Sequence, residues 1–494
     1  MLKSRRAGLL AAVCSFGLVA GAASSAFAET LADAIALAYQ TNPTLQGQRA
    51  SQRALDESIV QARTGLRPQV DASASLTASD GQDDGDAGRG SSAGLSVSQP
   101  LYTGGRVSSQ IGAAEADVMT GQQGLRSVEA GIIQAVITAY VDVRRDQERL
   151  RISQENVAVL QRQLDEARAR FEVGEITRTD VAQAEARLAA SRASLASAQA
   201  QLAISRASYA AVVGQNPGDL EAEPALEAFL PPAIEDAFDS AEQNNAEILG
   251  AEYAERASAA RVAVARSSRL PTVTASGSLG FAGTTAQQSF IPPTGAGGAF
   301  DDYRRSVSGR VSVSVPLFTG GLISSQARAA QERNNADRQA IEETRRRVLR
   351  TVSQAWNSLI GARANLEANE EQVRAARIAF EGVRQEAQVG LRTTLDVLNA
   401  EQELRSAELS LVNARREEYV AAAVLLSAMG KLEARYLVPG VEQYDAKANG
   451  RKLSHKLGWT PWEPVLGFID RVAAPPRPAP PADGSSDAPV STSN

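Results

Sequence analysis

The 494-residue chain has one cysteine, one histidine and only 5% aromatic residues. One His and one Cys cannot build a His-rich metal centre or a Cys₂His₂ zinc site. A Ser-His-Asp triad would rest on His455, in a proline-rich tail that offers no fixed geometry. No G-x-x-x-x-G-K-[ST] loop is present to cradle ATP phosphates. These absences argue against an enzyme, and no cofactor or metal is expected. Beyond residue 28 no window holds the ~18 apolar residues that a membrane helix needs.

What is present begins with a secretory signal over residues 1–28. Lys3, Arg5 and Arg6 form its basic end, Leu9 to Ala22 its apolar run, and Ala26-Phe27-Ala28 its cleavage site. Removing it takes Cys14, so no disulfide framework is expected despite export. The apolar run before Cys14 is too short for a lipoprotein signal. Removal also takes three of the 51 basic residues, moving the formal net charge from −6 to −9. An acidic balance argues against nucleic acid as a partner.

The rest is organised by a duplication. QPLYTGGRVSSQ (99–110) returns as VPLFTGGLISSQ (315–326), and EVGEITRTDV (172–181) as QVGLRTTLDV (388–397), both 216 residues on. Upstream, Asn42 and Pro68 match Asn245 and Pro271 at an offset of 203. The 13-residue difference is an insertion, placed in IPPTGAGGAF (291–300). Repeat 1 spans 29–216 and repeat 2 spans 233–438, with a linker at 217–232 and a flexible Pro-rich tail at 439–494.

Proline is absent from Leu101 to Asn216 and from Leu317 to Val438. Proline costs about 3 kcal/mol inside a helix, so these stretches read as helical. The Gly of Val173-Gly174 and Val389-Gly390 breaks each, and Thr177 and Thr393 can cap a second helix. Helices are expected at 106–171, 177–213, 322–387 and 393–428. At about 1.5 Å per residue the long ones measure roughly 100 Å. In the last helix, Ala400, Leu404, Ala407, Leu411, Ala414, Ala421, Leu425 and Ala428 form a heptad seam for close packing.

Four other runs alternate apolar with Ser or Thr: 69–79, 92–102, 272–281 and 306–317. About ten residues each suffice to cross a bilayer as tilted strands. Four strands cannot close a membrane barrel, which takes at least eight, so two, three or more copies are required. The acidic loop DGQDDGDAGRG (80–90) does not match a calcium loop and reads as a solvated outer loop.

Two copies of strand pair, long helix, Val-Gly turn and second helix resemble the TolC-like outer-membrane ducts. RFEVGEITRTDV (170–181), QVGLRTTLDVLNAEQEL (388–404) and the paired P-L-Y/F-T-G-G motif carry the resemblance, which runs from about Leu31 to Leu437. It implies a mainly α protomer with transmembrane β. Three copies would give a 12-stranded β-barrel in the outer membrane lipid and an α-helical barrel in the periplasm. The implied partners are a periplasmic adaptor and an inner-membrane ABC or proton-driven pump. The cargo would be an exported protein or a small molecule; a long tail and no lipidation site favour protein secretion.

The resemblance also implies roles. Asp396 matches an acid of the entrance constriction, whose second acid is replaced by Asn399. Arg392 matches a gate residue that reaches an acid and a Thr of the neighbouring protomer, here Asp180 and Thr179. A gate tyrosine is replaced by Ala387. Val173, Gly174, Val389, Gly390 and Leu391 match the adaptor-docking tips. The alternative reading is a trimeric coiled-coil surface adhesin, which would keep its strands together at the C-terminus. Here the hairpins lie about 200 residues apart and the chain ends in PPRPAPPADGSSDAPV.

Overall fold

The computed structural model describes residues 29–79, 88–286, 304–438, 440–453, 460–472 and 474–476. The expected signal, the inserted stretch 291–300, His455 and most of the acidic loop lie outside the described residues, as does the proline-rich end.

Each repeat has the same order. In repeat 1, α1 (Leu31–Thr41) and α2 (Pro43–Arg63) precede β1 (Gln69–Ser79), β2 (Gly88–Tyr102), α3 (Arg106–Glu172) and α4 (Arg178–Val213). In repeat 2, α5 (Ile234–Asn244) and α6 (Ala246–Ser267) precede β3 (Thr272–Ala286), β4 (Arg304–Ser314), α7 (Leu322–Gln388) and α8 (Thr394–Ala428). Helices α3 and α7 are each 67 residues long. No helix among the described residues is long and apolar enough to cross a membrane.

The duplication is visible in single hydrogen bonds. Asn42 accepts from Thr44 N and Leu45 N to cap α2, while its Nδ2 donates to Val212 O in the last turn of α4. Asn245 caps α6 through Glu247 N and donates to Ala428 O at the end of α8. One Asn therefore satisfies orphan groups at two helix ends in each repeat.

The strands form one antiparallel sheet in the order β1-β2-β3-β4, so β2 and β3 join the repeats. Its register puts Val70 beside Val97, and Ala72 beside Leu95, Leu279 and Val307, all on one face. The other face carries Asp71, Ser96, Ser278 and Ser308, with the Ser278 and Ser308 hydroxyls 2.7 Å apart. The run 306–317 differs from its expectation. Strand β4 stops at Ser314, before Pro316, which has no N–H for a ladder. Each of β1 and β4 has one side unpaired among the described residues.

The main core lies where α1 packs on the middle of α3 and α5 on the middle of α7, together with the ends of α4 and α8. Tyr140 is fully buried there, and its single hydroxyl proton is shared between Glu29 O (2.9 Å) and Glu221 O (2.7 Å). Burial pushes its phenol up to about 12, so it stays a donor. Replacing Tyr140 with Phe takes this donor from the Glu221 carbonyl, while Glu29 O keeps the Glu221 N–H. The expected cost is about 1–2 kcal/mol, read as a lower thermal midpoint with channel function retained.

The stretch after residue 438 departs from the expected flexible tail. Just before it stands α9 (Ala434–Leu437), and the stretch itself holds α10 (Ala448–Leu453) and α11 (Glu463–Val472). The Arg49 guanidinium lies between the rings of Tyr39 and Tyr444, at 4.4 and 4.9 Å. Asn449 donates to Asp56 on α2, and Leu453 is buried. The segment is a strap along α2 towards the sheet. The physical reason is that these anchors are far away in sequence, on α2 of the first repeat, and such distant partners leave no local period to read.

Candidate functional site

The helix-turn ends of the two hairpins collect the residues named from sequence. At the first turn, Gly174 N donates to Phe171 O and Glu175 N to Arg170 O. At the second, Gly390 N donates to Ala387 O and Leu391 N to Glu386 O. Gly174 and Gly390 have φ of 81° and 79°, the left-handed conformation that closes each helix with least strain. Among the described residues, nothing lies within 4 Å of where either would carry a Cβ. Val173, Val389 and Leu391 are all exposed. Helix-turn chemistry needs the glycines and not the apolar neighbours, which leaves an unoccupied apolar tip.

Asp180 and Asp396 are capping-box acids. Asp180 Oδ2 accepts from Thr177 N (2.9 Å) and Thr177 Oγ1 (2.8 Å). Asp396 Oδ2 accepts from Thr393 N (3.0 Å) and Thr393 Oγ1 (2.8 Å). The Thr393 backbone bond, then its hydroxyl, hold the Asp396 carboxyl below its ordinary value, with help from Arg392. The Thr177 backbone and hydroxyl do the same for Asp180. Thr179 is exposed in the first turn of α4.

Within the chain, Arg392 Nε bonds Glu386 Oε2 at 2.8 Å across its own turn. Asn399 accepts from Arg187 Nη2 of α4 at 3.1 Å, so it faces a cation of its own chain. Sequence reasoning missed Glu386, Arg187 and Glu401. Glu401 is buried, and its carboxylate accepts from Gln163 of α3 at 2.7 Å. Burial raises its carboxyl against the pull of that hydrogen bond. No local pattern marked it, because it lies off the heptad seam and its partner is on the other repeat. Nearby, Leu398 joins Leu160, Leu164, Ala167, Ala184 and Leu188 in a small core that fastens α8 to the first hairpin. No group of three or more metal-ligating residues occurs among the described residues.

A sheet with one apolar face, joined to two helical hairpins with 67-residue arms, defines the subunits of outer-membrane channels. Residues 34–215 and 237–431 match the family described as outer membrane efflux protein. The chain is 32% identical to outer membrane efflux protein BepC of Brucella suis biovar 1, over 87% of this chain and 92% of that one. It is 26% identical to outer membrane protein TolC of Escherichia coli K12, covering 85% and 86% of the two chains. It superposes on the Campylobacter jejuni CmeC outer membrane channel with a TM-score of 0.69, covering 86% and 89% at 16% identity. The chain belongs to the outer membrane efflux protein family. It is an outer-membrane protein that extends into the periplasm.

Proposed function

We propose that three copies close into a passive exit duct for export across the outer membrane. The observation that carries this is a sheet with an apolar face and, among the described residues, one unpaired side on each of β1 and β4, held by the same chain as two long helical hairpins. Lipid cannot satisfy free strand edges, so pairing β4 of one copy with β1 of the next both closes the barrel and removes them. Three copies supply 12 strands and a helical tunnel. The apolar tips Val173, Gly174, Val389, Gly390 and Leu391 are where a periplasmic adaptor grips, coupling the duct to an inner-membrane ABC or proton-driven pump. The chain itself carries no ATP-binding loop, so energy comes from that pump.

At the entrance, three Asp396 carboxylates face a common axis and attract cations. The cap bonds favour the ionised form of each one, while the other two carboxylates of the proposed ring push the other way. Asn399, held by Arg187, adds no second ring of charge. Arg392 exchanges Glu386 for Asp180 and Thr179 of a neighbouring copy as the entrance closes.

Single-channel recording in planar bilayers tests this reading. The reconstituted protein should conduct and be blocked by multivalent cations from the periplasmic side. Asp396→Ala should weaken that block at least tenfold. Because the folded carboxyl lies below its ordinary value, the block should persist throughout neutral pH and fade only as the pH drops through that lowered value. A protein that forms no pore would overturn the duct; an unchanged block in Asp396→Ala would remove the acidic ring.

A further inference from the structure

Helix α11 is amphipathic in the wrong sense for water. Glu463 and Asp470 are its two buried residues, while Trp462, Val465, Phe468, Ile469 and Val472 are 47–71% exposed. The carboxylates and Gly467 lie on one side, and the apolar residues lie on the opposite side, at helical spacing. Glu463 pairs with Arg67 at 2.9 Å, just before β1. Asp470 accepts from Thr103, Gly105 and Ser108 at the start of α3. Gly467 packs against Leu66, so the polar side grips the protein and the apolar side points away from it.

Its position says what covers that side. Trp462 Nε1 donates to Gln99 Oε1 at 3.3 Å. Gln99 follows Val97 and Leu95 on the same face of β2 and pairs with Ala275, so it stands on the apolar face of the sheet at its helix-ward rim. The apolar side of α11 therefore continues the apolar face of the strands. Pairing of the sheet with another copy runs through the sides of β1 and β4, whereas Gln99 is on β2, inside the sheet.

We propose that α11 lies in the periplasmic leaflet of the outer membrane, as an interfacial anchor at the foot of the barrel with lipid acyl chains against Trp462, Val465, Phe468, Ile469 and Val472. A Trp at the level of the strand ends suits the membrane–water boundary. A helix of this kind lies in the interface with its apolar side among the acyl chains. The strap from residue 440 fixes this anchor to α2, and so ties the height of the tunnel to the membrane. This inference rests on reading the sheet's apolar face as its lipid face.

Spin labels separate the two. Single cysteines at Val465, Phe468, Leu95 and Val389 are placed in a Cys14→Ser background, where no other cysteine exists. The full protein is reconstituted in phosphatidylethanolamine–phosphatidylglycerol vesicles. Collision with oxygen, which partitions into lipid, is compared with collision with a water-soluble nickel chelate. The labels at 465 and 468 should match Leu95→Cys and exceed Val389→Cys severalfold in the oxygen-to-nickel ratio. A ratio like that of Val389→Cys would overturn the anchor. So would labels shielded from both agents, which would mean that a neighbouring copy covers α11. A low ratio at Leu95→Cys would instead overturn the lipid-face reading, and the anchor with it.

Discussion

Gly430→Ala should destabilise the protein by more than about 4 kcal/mol, whereas Gly214→Ala, its counterpart 216 residues earlier, should cost only about 1–2 kcal/mol. Both glycines end the second helix of a hairpin with positive φ, 72° at Gly430 and 98° at Gly214. Each substitution therefore carries the strain of a left-handed side-chain-bearing residue. Their surroundings differ. A Cβ at 214 would meet only Thr41 Oγ1, at 3.4 Å. A Cβ at 430 would meet the backbone of Asn244 and Asn245, with Asn244 O at 2.5 Å. Asn245 cannot retreat without giving up its bond to Ala428 O and its cap on α6. Thermal unfolding of the two purified variants in detergent measures the contrast, and equal midpoints would show that the joint at 244–245 yields.

Asp470→Ala should free α11 and leave the rest of the chain folded. Asp470 Oδ1 accepts from Thr103 N (2.8 Å), Thr103 Oγ1 (2.8 Å) and Gly105 N (3.1 Å). Its Oδ2 accepts from Ser108 N (3.1 Å) and Ser108 Oγ (2.8 Å). Burial alone would raise this carboxyl, but the bonds from Ser108 and Thr103 together hold it below its ordinary value. The carboxylate also sits at the positive end of a 67-residue helix. Breaking such a buried, charge-assisted network costs about 3–5 kcal/mol, more than a ten-residue helix can absorb. At the matching turn, nothing among the described residues lies within 4 Å of a Cβ built at Gly320 or Gly321. The expected readout is fast trypsin cleavage after Arg471 with an unchanged global midpoint. The sign of the pH effect follows from the lowered value: the contact is complete above the ordinary carboxylate range and is lost as pH falls through the folded value. An unchanged cleavage pattern at neutral pH would show that Asp470 does not hold α11.

Much of the fold was legible because its signals are local. The capping boxes of Thr177 and Thr393 stand where the sequence places helix starts. The heptad positions from Ala400 to Ala428 are all buried or half-buried, because a 3.5-residue period puts them on one stripe. The strand alternation also survives folding, since side chains two apart share a face. The candidate site was legible in its turns and acids but not in its contacts. Asp396 could be named from its motif, yet its bonds to Thr393 and the pairing of Arg392 with Glu386 emerged only in three dimensions.

The sequence by itself determined the duplication, the two helical hairpins, the four strands and the residues at the helix turns, since repeats and periods are properties of neighbouring positions. Only the tertiary structure decided that Glu401 is buried against Gln163, that Asn399 faces Arg187, and that the last helix returns to the foot of the sheet. Asp470 and Thr103 lie 367 residues apart, and no period in the chain connects them. Their contact exists because the folded hairpin presents three unsatisfied N–H groups at the start of α3, a need that one buried carboxylate meets.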